Sequence, residues 1–162
     1  MPESQSLVRL PGEGRTIGSG SNAIIYKLAG TETGGAFSVL ERAVPPRFRS
    51  PPQPHANTRE DWALYVLEGA LVFQLDDREV NAGPGSLIFV PRGVFFRWWN
   101  PHAEPARCLV IYAPSGFEEF FGEVAEATKA APRGPLDYER TLPTIVRIQD
   151  KYGMVRQDRS SS

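Results

Sequence analysis

Short apolar runs, cut apart by glycine and proline, fill the first two thirds of the chain. They read "NAIIYKLAG", "GGAFSVLERAV", "WALYVLEGALVFQL", "SLIFVP", "FFRWWN" and "RCLVIYAP". Each is rich in Val, Ile, Leu, Phe or Tyr and is bounded by turn residues, the pattern of β-strands. "LEGALVF" sets a Glu-Gly turn between two apolar runs and predicts a hairpin. Asp76-Asp77 and Gly83-Pro84-Gly85 predict two further turns. Many short strands with closely spaced turns predict an antiparallel sandwich or barrel.

The period changes after Pro114. In "SGFEEFFGEVAEATKAA", Phe117, Phe120, Phe121 and Val124 fall at helical spacing. Ser115 is placed to cap that helix, with Glu118 and Glu119 in its first turn. "LPTIVRIQDKYGM" predicts a second helix, with Pro143 near its start and Gly153 near its end. "PRGPLDYERT" is the expected loop between them, and both helices are expected to lie against the barrel. The closing "RQDRSSS" is expected to be a disordered tail.

The chain has 162 residues, enough for one domain with a sizeable core. A net charge of -1 and the lack of a basic stripe argue against a nucleic-acid partner. No apolar run is long enough to span a bilayer, and the N-terminus does not have the pattern of a secretory signal. Cys108 is the only cysteine, so no intrachain disulfide can form. A cytoplasmic protein is the expectation. Cys108 itself, at the start of "RCLVIY", reads as a small buried hydrophobe.

One stretch is unusually bulky. "PRGVFFRWWN" packs Phe95, Phe96, Trp98 and Trp99 behind a Pro-x-Gly turn. With the preceding "AVPPRFRSPPQPHANTREDWALYVLEGALVFQLDDREVNAGPGSLIFV" it resembles the two sequence blocks of the cupin superfamily. More narrowly, it is similar to the small bacterial single-domain cupins labelled quercetin-dioxygenase-like. The resemblance covers 34–114. "YVLEG" fits the first block; Gly85, Pro91, Gly93 and Asn100 fit the framework of the second. "GFEEFF" and "IQDKYGM" are similar to that group's C-terminal helices. The resemblance implies an all-β fold, a cupin-type antiparallel jelly-roll β-barrel with C-terminal helices. It divides the chain into an arm and first strands at 1–33, the barrel at 34–114, a helical extension at 115–155 and a tail at 156–162.

It also implies a metal site that this sequence does not supply. The family's pattern is H-x-H-x3-4-E in the first block and one His in the second. Those positions here are His55, Asn57, Trp62 and Phe96. One imidazole and one neutral amide are too few donors for a transition metal. His102 lies beyond Asn100 in the turn "NPHAEP" and does not complete the set. The expectation is therefore no metal and no other cofactor.

The resemblance implies that Phe96 and Trp98 face the interior with Trp62, and that Arg97 and Trp99 face outward. The rings then either plug the barrel as simple core or line an open pocket. Phe95, at the start of the strand, either closes the mouth or packs beneath a neighbouring element. His55 is the one imidazole in the pocket, and at an ordinary pKa near neutrality it is the acid–base candidate. Asn57, two residues along, is the candidate for holding a substrate oxygen. Glu41 faces the pocket only if its strand has the right parity. Arg47 and Arg49 flank Phe48 near the entrance; salt bridges or solvent are their expected fate, with contact to an anionic substrate group as the alternative that makes Arg47 a candidate. Arg59, Glu60 and Asp61 read as a solvated loop. An outward Trp99 needs cover, from the helices or from a second subunit, and a homodimer is expected.

Three functions remain open. One is a metal-independent enzyme that cyclises, isomerises or dehydrates an apolar, polycyclic or polyketide-like molecule. The second is a protein that binds such a molecule without turning it over. The third is a metal-dependent dioxygenase with a rearranged ligand set.

Overall fold

The computed structural model describes residues 5–49, 53–129 and 135–157. In chain order the strands of the first half are β1 (Arg15–Ile17), β2 (Ile24–Leu28), β3 (Ser38–Val44), β4 (His55–Asn57), β5 (Asp61–Glu68) and β6 (Leu71–Leu75). There follow β7 (Arg78–Ala82), β8 (Leu87–Val90), β9 (Phe96–Trp99), β10 (Ala106–Ala113), the helices α1 (Glu119–Thr128) and α2 (Pro135–Lys151), and β11 (Met154–Arg156).

The strands form two antiparallel sheets. One has six strands in the order β1-β2-β3-β10-β5-β8, the other five in the order β11-β4-β9-β6-β7. The expected all-β jelly roll with C-terminal helices is the observed architecture. Alternation places the core: along β10, Ala106, Cys108, Val110 and Tyr112 are buried while their neighbours are not. From β5, Trp62, Leu64 and Val66 join them; from β9, Phe96 and Trp98. The β1–β2 pair extends the six-stranded sheet through β3, so the first strands are part of the barrel wall.

The Glu-Gly turn is not a hairpin. β5 belongs to the six-stranded sheet and β6 to the other, so Gly69 carries the chain from one sheet to the next. Its φ is +74°, and a Cβ there would lie 2.7 Å from the Pro105 carbonyl oxygen, so only glycine fits. A hairpin and a corner between sheets look alike in sequence, because both join two apolar runs by a tight turn. The choice of partner strand decides between them. Gly83-Pro84-Gly85 makes a second such crossing, whereas Asp76-Asp77 closes a true hairpin with Leu75 opposite Arg78.

The C-terminal third departs from expectation in three places. Ser115 does not cap α1, whose side-chain cap is absent. The Glu118 carboxylate instead turns back into the fold. It accepts from Gly30 N–H at 3.1 Å, Ser38 Oγ at 3.0 Å and Gly116 N–H at 2.5 Å. The second helix begins at Pro135, not near Pro143, which lies inside it. Two prolines could each open a helix, and the earlier one does so, leaving Pro143 to cost one internal hydrogen bond. Finally, the helical extension expected over 115–155 stops at Lys151. Met154–Arg156, including a residue assigned to the tail, forms a strand that pairs with β4. Gly153, at φ +75°, makes the reversal. Three residues are too few for a periodic signal, so only the free edge of β4 reveals this strand. Of the loop expected at "PRGPLDYERT", the part from Pro135 onward is helix, while its first three residues, and residues 158–162 of the expected tail, lie outside the described residues.

Among the described residues no helix is long and apolar enough to cross a membrane.

Candidate functional site

β4 is the short strand that carries the site. It is held on one side by β9, with His55 opposite Phe96, and on the other by β11, with Arg156 opposite His55 and Met154 opposite Asn57. Thr58 adds two bonds to the Gly153 carbonyl, from its N–H and its hydroxyl. His55 and Asn57, two residues apart, therefore point to the same side, into the barrel. The centroid of the His55 ring lies 4.6 Å from that of Phe96, which lies 4.7 Å from Trp62. Trp98 stacks on Phe73 at 6.2 Å and meets Phe48 at 5.1 Å. The expected inward face of β9 is the observed one.

These rings do not close the barrel. They form the floor of a cavity of about 540 Å³. Its roof is the apolar face of the C-terminal elements: Phe117, Phe120, Phe121 and Val124 around α1, then Leu142, Ile145 and Val146 on α2. Helical periodicity identified the α1 residues as one face but could not say that this face would look onto the site.

Among the polar side chains that line the cavity, His55, Asn57 and Arg42 each have a buried atom without a partner among the described residues. The Nδ1 of His55 and the Oδ1 of Asn57 are buried with no hydrogen-bond partner among the described residues. Burial pushes the His55 imidazole down to about 4. That corrects the expectation of a group poised near neutrality: packed against Phe96 with no acceptor for a second proton, the ring is neutral at pH 7. Burial also pushes up the Tyr112 hydroxyl, with the Arg42 charge and a hydrogen bond from Trp62 pulling partly back. Tyr112 is thus a neutral hydroxyl in the wall. Cys108, pushed up to about 12 by burial, is an inert core thiol, as expected.

Two expected site residues are elsewhere. Glu41 points out of the barrel, where it accepts from Arg107 at 3.0 Å. Its neighbour Arg42 stands opposite the buried Ile24 and Cys108 and lines the cavity instead. The strand parity that the sequence left open is thereby settled against Glu41. Arg47 is exposed at a turn with φ +64° and does not reach the cavity; Arg49, two residues on, lies at its rim.

Glu60 does not belong to a solvated loop, contrary to expectation. It is 3% exposed, its Oε1 has no partner, and burial pushes its carboxyl up to about 7 against the pull of Arg59 and Arg92. Its neighbour Asp61 does face solvent and pairs with Arg92 at 3.1 Å. The phase of β5 held the signal. Trp62 faces inward, so Glu60, two residues earlier, is on the same side.

The positions that the cupin resemblance assigns to a metal do not fit one here. Trp62 and Phe96 offer it no lone pair, which leaves one imidazole and one amide. Among the described residues no cluster of three or more His, Cys, Asp or Glu could complete the set.

Comparison with known proteins agrees with the fold. Residues 41–112 match the family model described as the cupin domain. No curated protein matches the chain. Among solved structures, the polyketide cyclase RemF from Streptomyces resistomycificus superposes with a TM-score of 0.57 at 22% identity, covering 68% of this chain and 81% of that one. The nucleoside dehydratase Pac13 of Streptomyces gives 0.53 at 20% identity, over 71% of this chain and 88% of its own. KdgF from Halomonas sp. gives 0.57 at 12% identity, over 70% and 98%. At these identities the likeness is one of fold.

Proposed function

We propose that this chain, a small protein built on a cupin domain, is a metal-independent enzyme. Its substrate is an apolar, polycyclic or polyketide-like small molecule, and its reaction is cyclisation, isomerisation or dehydration. The observation that carries this reading is the cavity itself: a space of about 540 Å³ between two aromatic walls, with His55 and Asn57 as unpartnered buried polar groups. Such a pocket binds a flat apolar molecule and orients it through very few polar contacts. That a polyketide cyclase and a nucleoside dehydratase share the fold lends this reading support, by analogy of fold.

The chemistry follows from the neutral imidazole. His55 is unprotonated at pH 7 and able to accept a proton, but burial makes it a weak base, so the carbon it deprotonates must be strongly acidified, as between two carbonyls. The Asn57 amide holds an oxygen of the substrate in place. In a dehydration the proton taken from carbon returns to the departing hydroxyl, which leaves as water. In a cyclisation the carbanion so formed attacks a carbonyl brought near by the walls, the C=O π bond opens to an alkoxide, and that oxygen takes the proton back from His55. Holding the reacting atoms together supplies much of the acceleration.

The test is turnover by purified protein of the compound that copurifies with it, followed by mass spectrometry, with elemental analysis of the same sample. Conversion without stoichiometric metal supports the reading. Binding without conversion makes the protein a carrier or sensor. About one Zn, Fe or Mn per chain, lost in His55→Ala together with activity, restores the metal-dependent dioxygenase.

The homodimer is part of the same proposal, with a different surface from the one expected. Trp99 is half-buried, and the Arg97 guanidinium lies 5.1 Å from its ring, so it needs no partner subunit. The uncovered apolar face is on the other sheet. Leu87 (63% exposed) and Phe89 (60%) on edge strand β8 stand beside Tyr65 and Ala63 on β5, with Leu109 and Ile111 next on β10. A second copy placed face to face would cover it. Light scattering that gives a dimer for the native protein and a monomer for a Leu87→Lys, Phe89→Lys variant supports this; a monomeric native protein overturns it.

A further inference from the structure

Among the described residues, the wall of the cavity holds three arginines and no carboxylate. One of the three is neutralised within the fold: Arg156 lies 3.3 Å from Asp150 and donates to Gln149 at 2.8 Å. Arg49 is exposed at the rim. Arg42 is the exception. Its guanidinium carbon is caged by three rings, at 5.0 Å from Phe121, 5.2 Å from Trp98 and 5.6 Å from Phe48. Its Nε is buried with no partner, and none of the described carboxylates pairs with it. The titratable groups it acts on, Tyr112 and Cys108, are both neutral at pH 7.

Aromatic faces attract a guanidinium but accept none of its hydrogen bonds in the plane of the fork. A cation held this way in a low-dielectric wall gains strongly from an oxyanion delivered in that plane, and little from a neutral oxygen. The rings that cage it are also the walls of the pocket, with Trp98 from the floor and Phe121 from the roof. An anionic oxygen on Arg42 therefore brings the flat body of its molecule between those walls.

We propose that Arg42 is the anion-binding residue of this cavity, and that the ligand is a planar apolar molecule carrying one anionic oxygen group, such as a carboxylate or an acidic enol. This rests on the reading of the cavity as a small-molecule site and narrows its substrate class. Arg42 sets which molecule binds and how it is turned, while His55 and Asn57 face another part of it. The sequence offers an anion contact only as an alternative at Arg47 and Arg49, because it does not fix which arginine of the segment faces inward.

Binding of two probes of equal size separates the possibilities: 2-naphthoate, which is anionic, and 2-naphthamide, which is neutral. Affinities are read by calorimetry and by quenching of tryptophan fluorescence. The native protein is expected to prefer the carboxylate by about ten- to a hundredfold, the effect of one hydrogen-bonded charge pair. Arg42→Gln removes that preference and leaves the amide's affinity unchanged, which also shows that the pocket remains folded. Arg42→Lys retains part of it, and Arg49→Gln changes it less than about threefold, as a screened rim charge does. If the two probes bind native protein equally, or Arg42→Gln keeps the preference, the assignment to Arg42 is wrong while the pocket stands. If neither probe binds, both the pocket reading and this assignment fall. The comparison on native protein needs no variant, so an unstable Arg42→Gln protein still leaves the proposal open to disproof.

Discussion

The floor and the roof of the cavity are built from similar side chains and held by different forces. On the floor, Trp62, Phe96 and Trp98 stand on β5 and β9, whose places are fixed by ladders of backbone hydrogen bonds on neighbouring strands. On the roof, Phe117, Phe120 and Phe121 cluster with one another and with Tyr152, at centroid distances of 5.0 to 6.1 Å. The polar clasp between the two roof helices is at Glu123, which accepts from Lys151 at 2.5 Å and Tyr152 at 2.7 Å. Backbone ladders fix a ring's position to a fraction of an ångström, whereas side-chain packing and exposed ion pairs leave room to shift. The floor is suited to positioning a reaction and the roof to closing over it.

The largest expected effect breaks the floor's chemistry. His55→Ala should lower turnover roughly a hundred- to ten-thousandfold while leaving ligand affinity and melting temperature nearly unchanged. Because burial holds this imidazole down to about 4, the acid limb of kcat/KM should lie near pH 4, not near 6.5, and should vanish in the variant. Loss of binding together with activity would make His55 a contact only.

The next separates floor from roof directly. Phe96→Ala should destabilise the protein by about 3 kcal/mol, as truncation of a fully buried ring does. Phe121→Ala, from a half-buried position, should cost about 1 kcal/mol yet weaken ligand binding. Denaturant melts and titrations on both variants check this; equal stability losses would erase the distinction between the two walls.

A third effect depends on pH. The Glu60 carboxyl is pushed up to about 7 in the folded protein, above its ordinary value of 4.5. Its contribution to stability is therefore complete below about pH 4.5 and is lost as pH rises through 7. Glu60→Gln should be neutral at pH 5 and should stabilise at pH 8, by about 2–3 kcal/mol. His55 acts in the opposite sense: stability is present above about 6.5 and lost as pH falls towards 4. The native protein should therefore vary little between pH 5 and 7, and each single variant should uncover the other group. The smallest effect is on the roof clasp, where Glu123→Gln should leave the melting temperature nearly unchanged, since the pair is exposed and screened.

Legibility followed the range of the interactions. His55, Asn57, Trp62, Phe96 and Trp98 could be assigned to one pocket because alternation along a strand is a local property. Once a family framework fixes one residue of a strand, the rest follow in steps of two. The same rule applied to β5 would have placed Glu60 inside, but a run of charged residues concealed it. Glu41 and Arg42 show the limit: without a partner strand the parity is free, and the structure chose the arginine.

The sequence by itself determined an antiparallel β-fold with helices after it, and the cupin resemblance added that two of the four positions that hold a metal in that family carry rings here, Trp62 and Phe96. Periodicity and residue chemistry are properties of short segments, and a family framework turns them into positions. Tertiary structure decided what no segment contains: that Gly69 crosses between sheets and that Met154–Arg156 completes the sheet bearing His55. It also set the helices as a roof over an open cavity and placed Arg42 within it, with no carboxylate paired to it among the described residues. Each of these depends on which distant residues come to lie side by side. That is settled by burial and hydrogen bonding over the whole chain, which no local pattern records.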